Sequence, residues 1–139
     1  MENPKNVEVN IRIKLAFLWT SVTFLYIYGD YFELYIPTKT AGLVNGINLL
    51  DSPMKLFSAS VLLAIPAAMI FLSVLLKPPF NRWLNIGMGV FFTLLMLLIA
   101  ATSLTPWRIF YVFYAITESI ITSLIVWYAA KWPRQEAMI

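Results

Sequence analysis

The sequence predicts an all-α polytopic membrane protein: an antiparallel bundle of four transmembrane helices with both termini on the cytoplasmic side. Composition is the first reason. The 139 residues are 60% hydrophobic and 12% charged, where a soluble domain averages about 25% charged, and the mean hydropathy is +0.77. The second reason is segmentation, since a spanning helix needs about 20 apolar residues and four such runs can be marked, at 15–36, 55–76, 83–104 and 107–130. They leave almost no chain for anything else, so 1–139 reads as a single integral membrane domain. The third reason is charge placement. Lys5, Arg12, Lys14, Lys77, Arg82, Lys131 and Arg134 fall at one end of the bundle, while Lys39, Lys55 and Arg108 fall at the other. That seven-to-three split places the richer side in the cytoplasm by the positive-inside rule.

The elements follow from their punctuation. Ahead of the first run, Val7, Val9, Ile11 and Ile13 alternate with Glu8, Asn10, Arg12 and Lys14, a strand-like pattern with nothing to pair with. It reads as an interfacial lead-in. The first run is longer than the apolar core of a signal peptide, carries two acids and is followed by no small-residue cleavage site, so it reads as a retained span. It closes at Ile36, because Pro37 disfavours helical geometry in the residue before it. The 37–52 segment is the outer loop, apolar enough at 43–50 to lie on the membrane with a short helical turn; a lid over the bundle is the other reading. Asp51, Ser52 and Pro53 form a helix start, a capping side chain followed by proline at the first helical position. Pro66 falls inside the second span, where it should kink the helix. Pro78 and Pro79 close that span. Thr105 and Pro106 separate the third span from the fourth by so short a turn that the two must be antiparallel neighbours.

Several chemistries are excluded at once. The chain has no Cys and no His, which removes disulfides, thiol catalysis, Cys/His zinc sites and imidazole chemistry. No nucleophile motif or glycine-rich phosphate loop is present. No cofactor and no metal are expected, and an enzyme is the less favoured class. The basic residues flank the spans, so a net charge of +3 calls for no nucleic-acid partner.

The functional signal is three acids within apolar runs: Asp30, Glu33 and Glu118. A charge at the bilayer centre costs roughly 2.5–3.5 kcal/mol on insertion scales, so such residues mark sites or pairs. At about 100° per residue, Trp19, Thr23, Tyr26, Asp30 and Glu33 share one face of the first helix, while Tyr28, Tyr31 and Tyr35 take another. Trp107, Tyr111, Tyr114, Glu118, Thr122 and Ile125 likewise share a face of the fourth. Small residues allow close backbone approach elsewhere: Ser60, Ala64 and Ala67 in the second helix, Gly89, Thr93 and Ala100 in the third.

Depth divides the acids. Asp30 and Glu33 lie about 9 Å and about 5 Å from the outer end of their predicted helix, where Arg108 and Lys55 are available to pair with them. Glu118 lies about 15 Å below Arg108, with no base at its level. It reads either as a neutral hydrogen-bonded link between helices or as a proton- or cation-handling group. Tyr35, Trp83, Trp107, Trp127, Tyr128 and Trp132 fit an interfacial aromatic belt. Tyr26, Tyr111 and Tyr114, which share faces with acids, suit a pocket for an organic cation or a lipid-like headgroup.

Four short-looped helices, the acid-bearing aromatic stretch from Tyr28 to Tyr35, and the longer loop from Asn45 to Pro53 resemble the small bacterial membrane proteins of the DoxX-like type. The resemblance implies a bacterial inner membrane and no particular activity. The favoured expectation is a non-enzymatic bundle that binds an amphipathic or cationic small molecule at Tyr26, Asp30, Glu33, Arg108, Tyr111, Tyr114 and Glu118. Alternatives are a proton-coupled transporter working as a homodimer, and a lipid- or quinone-related membrane enzyme or its accessory subunit.

Overall fold

A computed structural model describes residues 2–134. Among these every regular element is a helix, and four helices are long and apolar enough to cross a membrane. An even number of crossings returns both termini to one face, called here the terminal end; the opposite face is the α2 end.

Helix α1 spans Ile11–Glu33. It starts four residues before the expected Leu15, because the Asn10 side chain accepts the Arg12 backbone N–H at 2.9 Å and caps the helix. Part of the expected lead-in is therefore helical. The span also stops at Glu33, short of Ile36, and the chain turns through Pro37 into a short helix, α2, at Lys39–Asn45. Thr38 enters α2 at φ 69°, and Gly46 leaves it at φ 74°. The Ile47 N–H then bonds the Gly42 carbonyl at 2.7 Å, which makes the exit a Schellman motif.

Helix α3 spans Pro53–Leu75, with the Ser52 hydroxyl accepting the Lys55 N–H at 3.2 Å, as the capping residues predict. It runs unbroken through the buried Pro66. Helix α4 spans Pro78–Thr102. Here the expectation of a start at Trp83 is corrected: Pro78 and Pro79 open α4 as well as ending what precedes it, since the first turn of a helix has no use for their missing N–H groups. A one-turn 3-10 helix at Pro106–Arg108 leads directly into α5, Ile109–Ala130.

The helices are arranged in the order α3, α1, α5, α4. Helix α5 packs extensively on both α1 and α4, α1 also packs on α3, and α3 touches α4 only lightly. The α4/α5 seam is the tightest. A Cβ on Gly89 would lie 2.6 Å from Val126 Cγ2 and 3.2 Å from the Thr122 carbonyl, and the Thr93 and Thr122 hydroxyls meet at 2.6 Å. Close approach through Gly89 and Thr93 thus occurs as expected. The Ser60, Ala64 and Ala67 stripe does not behave this way: all three are exposed, and α3 buries Pro66, Met69 and Ser73 instead. Across the middle, Trp19, Val22 and Tyr26 of α1 meet Phe92 and Met96 of α4 in one apolar core.

At the terminal end a polar network closes the bundle. The Trp19 indole N–H donates to Asn85 Oδ1 at 2.7 Å, Asn85 Nδ2 donates to Asn81 Oδ1 at 2.7 Å, and Asn81 Nδ2 donates to the Ser73 carbonyl at 2.7 Å. Trp19, Ser73, Asn81 and Asn85 are all fully buried. Bases seal the helix ends around it. Arg12 donates to the Val74 carbonyl at the end of α3, and Arg82 donates to the Ala129 and Ala130 carbonyls at the end of α5. Cations belong at those ends, where carbonyls lack partners and the helix dipole is negative.

Candidate functional site

Because α3 and α4 barely touch, the bundle opens between them at the α2 end. The opening is a cleft of about 540 Å³. Its walls are Asp30 and Glu33 of α1, Leu63 of α3, Ile99 of α4, and Arg108 and Tyr111 at the start of α5. The connection from α1 to α3 forms its rim, through Lys39 and Leu43 of α2 and Leu49 and Leu50 beyond it.

Glu33 is the hub of the mouth. Its carboxylate accepts Arg108 Nη1 at 2.9 Å and Lys39 Nζ at 3.4 Å, with the Glu33 side chain 17% exposed. Two cations on one half-buried acid join α1, α2 and α5. Lys55 is not part of this group, contrary to the sequence expectation. It pairs with Asp51 at 2.8 Å, four residues away on the surface, because a neighbour one helical turn off needs no tertiary approach. Lys39 takes its place, brought back over α1 by the reversal at Thr38. Nothing in the sequence alone signals that reversal.

Asp30, one turn below Glu33, faces the cleft and has no ion pair among the described residues. Tyr111 stands beside it, with its ring against the backbone of Gly29 at a Cβ-equivalent distance of 3.6 Å and with the Arg108 guanidinium 5.9 Å from its centroid. Deeper still lie Tyr26, 8% exposed, and Glu118, 4% exposed. The Tyr26 hydroxyl has no hydrogen-bond partner. The Glu118 carboxylate makes no hydrogen bond either; only its backbone carbonyl is used, by Thr122 Oγ1 at 3.1 Å.

Four of the seven sequence-derived site residues line this cleft, Asp30, Glu33, Arg108 and Tyr111; Tyr26 and Glu118 are buried within the bundle and are not part of its lining. Tyr114 is not brought there. It is offset from Tyr111 by about 60° around α5, enough to put it on the flank facing α1, where it stacks on Phe32 with centroids 6.5 Å apart. That flank is a separate aromatic groove of about 360 Å³, which also takes in Tyr35, Trp107 and Phe110. Sequence reading missed the Asn81 and Asn85 pair. Their signal was available, since Asn81, Asn85, Gly89, Phe92 and Met96 recur at helical spacing on one face of α4, and amides inside a span are as much in need of partners as acids.

Residues 6–138 match a family of unknown function, DUF6326, and the chain belongs to that family. No curated protein and no solved structure matches it.

Proposed function

We propose that the protein binds an amphipathic organic cation in the cleft at the α2 end. The observation that carries the reading is the unpaired Asp30 in a cleft whose other acid is already matched by two bases. Around the site, Asp30, Glu33 and Glu118 stand against Lys39 and Arg108, which leaves the acids in excess. A cationic group gains attraction to Asp30 and a ring face at Tyr111. The apolar part of the same molecule fits against Leu43, Leu49, Leu63 and Ile99, toward the gap between α3 and α4. Pockets that hold small molecules have this make-up, an apolar lining with a few directed polar groups. The excess of Lys and Arg at the terminal end supports termini in the cytoplasm and a cleft on the outer face, and the resemblance to the DoxX-like type supports a bacterial inner membrane.

The test uses two probes with one tail, dodecyltrimethylammonium and dodecyl sulfate, added to protein held in a neutral detergent. Thermal stabilisation by the cation and none by the anion is expected, with the cation effect lost in Asp30→Asn. Equal responses to both probes, or an unchanged response in Asp30→Asn, would defeat the reading.

Proton-coupled transport is the second reading, favoured by the placement of a second unpaired acid, Glu118, below Asp30 toward the middle of the bilayer. It calls for a dimer, since four helices offer one molecule little room for alternating access. Uptake into proteoliposomes that responds to an imposed pH gradient, and stops responding in Glu118→Gln, is the result it requires.

A further inference from the structure

The mouth of the cleft carries one base more than it has acid to match. Lys39 Nζ and Arg108 Nη1 both close on one oxygen, Glu33 Oε1, at 3.4 Å and 2.9 Å. Neither base pairs with any other acid among the described residues, and their side chains stay 25% and 32% exposed. Glu33 cancels one of the two positive charges, so the group is a net cation. It also has donors to spare, because an ammonium presents three N–H groups and a guanidinium five. Asp30, one turn deeper, is the reverse case, an acid without an ion pair among the described residues. Below both lies the apolar wall. Helices α1 and α3 each have 23 residues, and Arg12 near the start of one donates to the Val74 carbonyl near the end of the other, so Glu33 and Pro53 stand level at the α2 end. Asp30 is then about 4.5 Å below that level, and Leu63, which lines the same cleft, about 15 Å below it. From mouth to floor the lining runs positive, negative, apolar.

Resting on the cleft reading above, we propose that the ligand is a zwitterion: an amphiphile whose ammonium stands between its apolar tail and an outer, singly charged oxyanion. Asp30 and the Tyr111 ring hold the ammonium, as before. The oxyanion meets Arg108 and Lys39, whose spare N–H groups suit the paired oxygens of a carboxylate, sulfonate or phosphate ester. The two sites are one helical turn apart, a separation that a short alkyl spacer bridges. The tail runs down between α3 and α4 past Leu63. A plain cation leaves the surplus positive charge at the mouth unanswered and is repelled by it. An anion without an ammonium gains the mouth but lays its tail against Asp30. A zwitterionic phospholipid has the opposite order, with the phosphate next to the tail and the ammonium outermost, so its ammonium would fall among the bases. The cleft therefore selects the order of the charges as well as their sign.

The experiment titrates four probes by thermal shift on the full chain in neutral detergent. Three share a dodecyl tail: dodecyltrimethylammonium; the sulfobetaine N-dodecyl-N,N-dimethyl-3-ammonio-1-propanesulfonate, with its ammonium next to the tail; and dodecylphosphocholine, with its ammonium outermost. The fourth is the head of the sulfobetaine without its tail, 3-(trimethylammonio)propane-1-sulfonate. The sulfobetaine should bind about tenfold more tightly than the plain cation, in line with one additional charge-assisted hydrogen bond, and should exceed dodecylphosphocholine by a similar factor. Arg108→Gln should bring the ratio of sulfobetaine to cation affinity close to one. Lys39→Gln, on the short α2 and outside the α1/α5 contact, should lower the same ratio and serves where Arg108→Gln fails to fold. Equal binding of the sulfobetaine and the plain cation, still dependent on Asp30, would overturn the zwitterion and leave the cleft reading standing. A ratio unmoved in the base variants, or a preference for dodecylphosphocholine, would overturn it as well. A shift from the tail-less head equal to that of the dodecyl compound would overturn an amphiphile as the ligand, since such a molecule comes from water and not from the membrane. Binding of none of the dodecyl probes would remove both proposals together.

Discussion

The Trp19 indole N–H and the Asn85 Oδ1 meet at 2.7 Å where neither reaches water. In a membrane the bond itself is worth little, about 0.6 kcal/mol on average between helices. The larger quantity is what its loss leaves behind. Asn85→Leu would strand the indole N–H, take the donor away from Asn81 Oδ1 and remove the acceptor that Ser73 Oγ reaches at 3.3 Å. Each orphaned group costs about 1–3 kcal/mol. The expected outcome is a loss of about 2–4 kcal/mol, read by unfolding in mixed detergent micelles, with part of it recovered when Trp19→Phe removes the stranded donor. A loss that Trp19→Phe deepens would contradict this account of the network. Glu33 shows the same logic with charge. Arg108→Ala would leave the acid with Lys39 alone, at the longer distance of 3.4 Å. Because the pair is half-buried and not sealed, the expected cost is modest, about 1 kcal/mol. A cost near the 3–5 kcal/mol of a fully buried broken pair would mean that the mouth is drier than its exposure indicates.

Among the elements, α4 and α5 depend most on one residue. At Gly89 a Cβ would approach Val126 Cγ2 to 2.6 Å, and a β-branched side chain in a helix has little rotamer freedom with which to retreat. Gly89→Ala is expected to destabilise by about 1–3 kcal/mol through overpacking, although alanine is the better helix former. Val126→Ala on that background should restore most of the loss. If Gly89→Ala is instead neutral or stabilising, the seam is looser than the Thr93 to Thr122 contact at 2.6 Å implies. The elements also show what sequence can carry. The four spans, the Ser52 cap and the adjacency of α4 and α5 follow from composition, capping chemistry and a short turn. The boundaries at Glu33 and Pro78 do not, because a proline marks a discontinuity without saying whether it ends one helix or opens the next. Pairing across elements was hardest to read. Lys39 reaches Glu33 only because of the left-handed turn at Thr38, and Tyr114 leaves the site because α5 has two neighbours and a stripe of aromatic residues is wide enough to serve both.

At the scale of the whole molecule, the bundle is closed at one end and open at the other. The amide network and the bases Arg12 and Arg82 hold α1, α3, α4 and α5 together at the terminal end, while at the α2 end the light contact between α3 and α4 leaves the cleft between them. The same bases satisfy helix-end carbonyls, and the positive-inside rule makes them the basis of the proposed orientation. Orientation can be tested without first removing native cysteines, since the chain has none. Single cysteines at Lys5 and at Asn48 sit beyond the helix ends at the terminal and α2 ends respectively, away from the packed core. A membrane-impermeant maleimide should label Asn48→Cys in intact cells, and should label Lys5→Cys only after permeabilisation. The reverse pattern would keep the bundle and turn the cleft toward the cytoplasm, so that its ligand would have to be an intracellular cation. Labelling of both positions from the same side would contradict the four crossings themselves, because Asn48 is separated from Lys5 by a single span. The position of the α2 end thus decides which compartment would supply the cation proposed for the cleft.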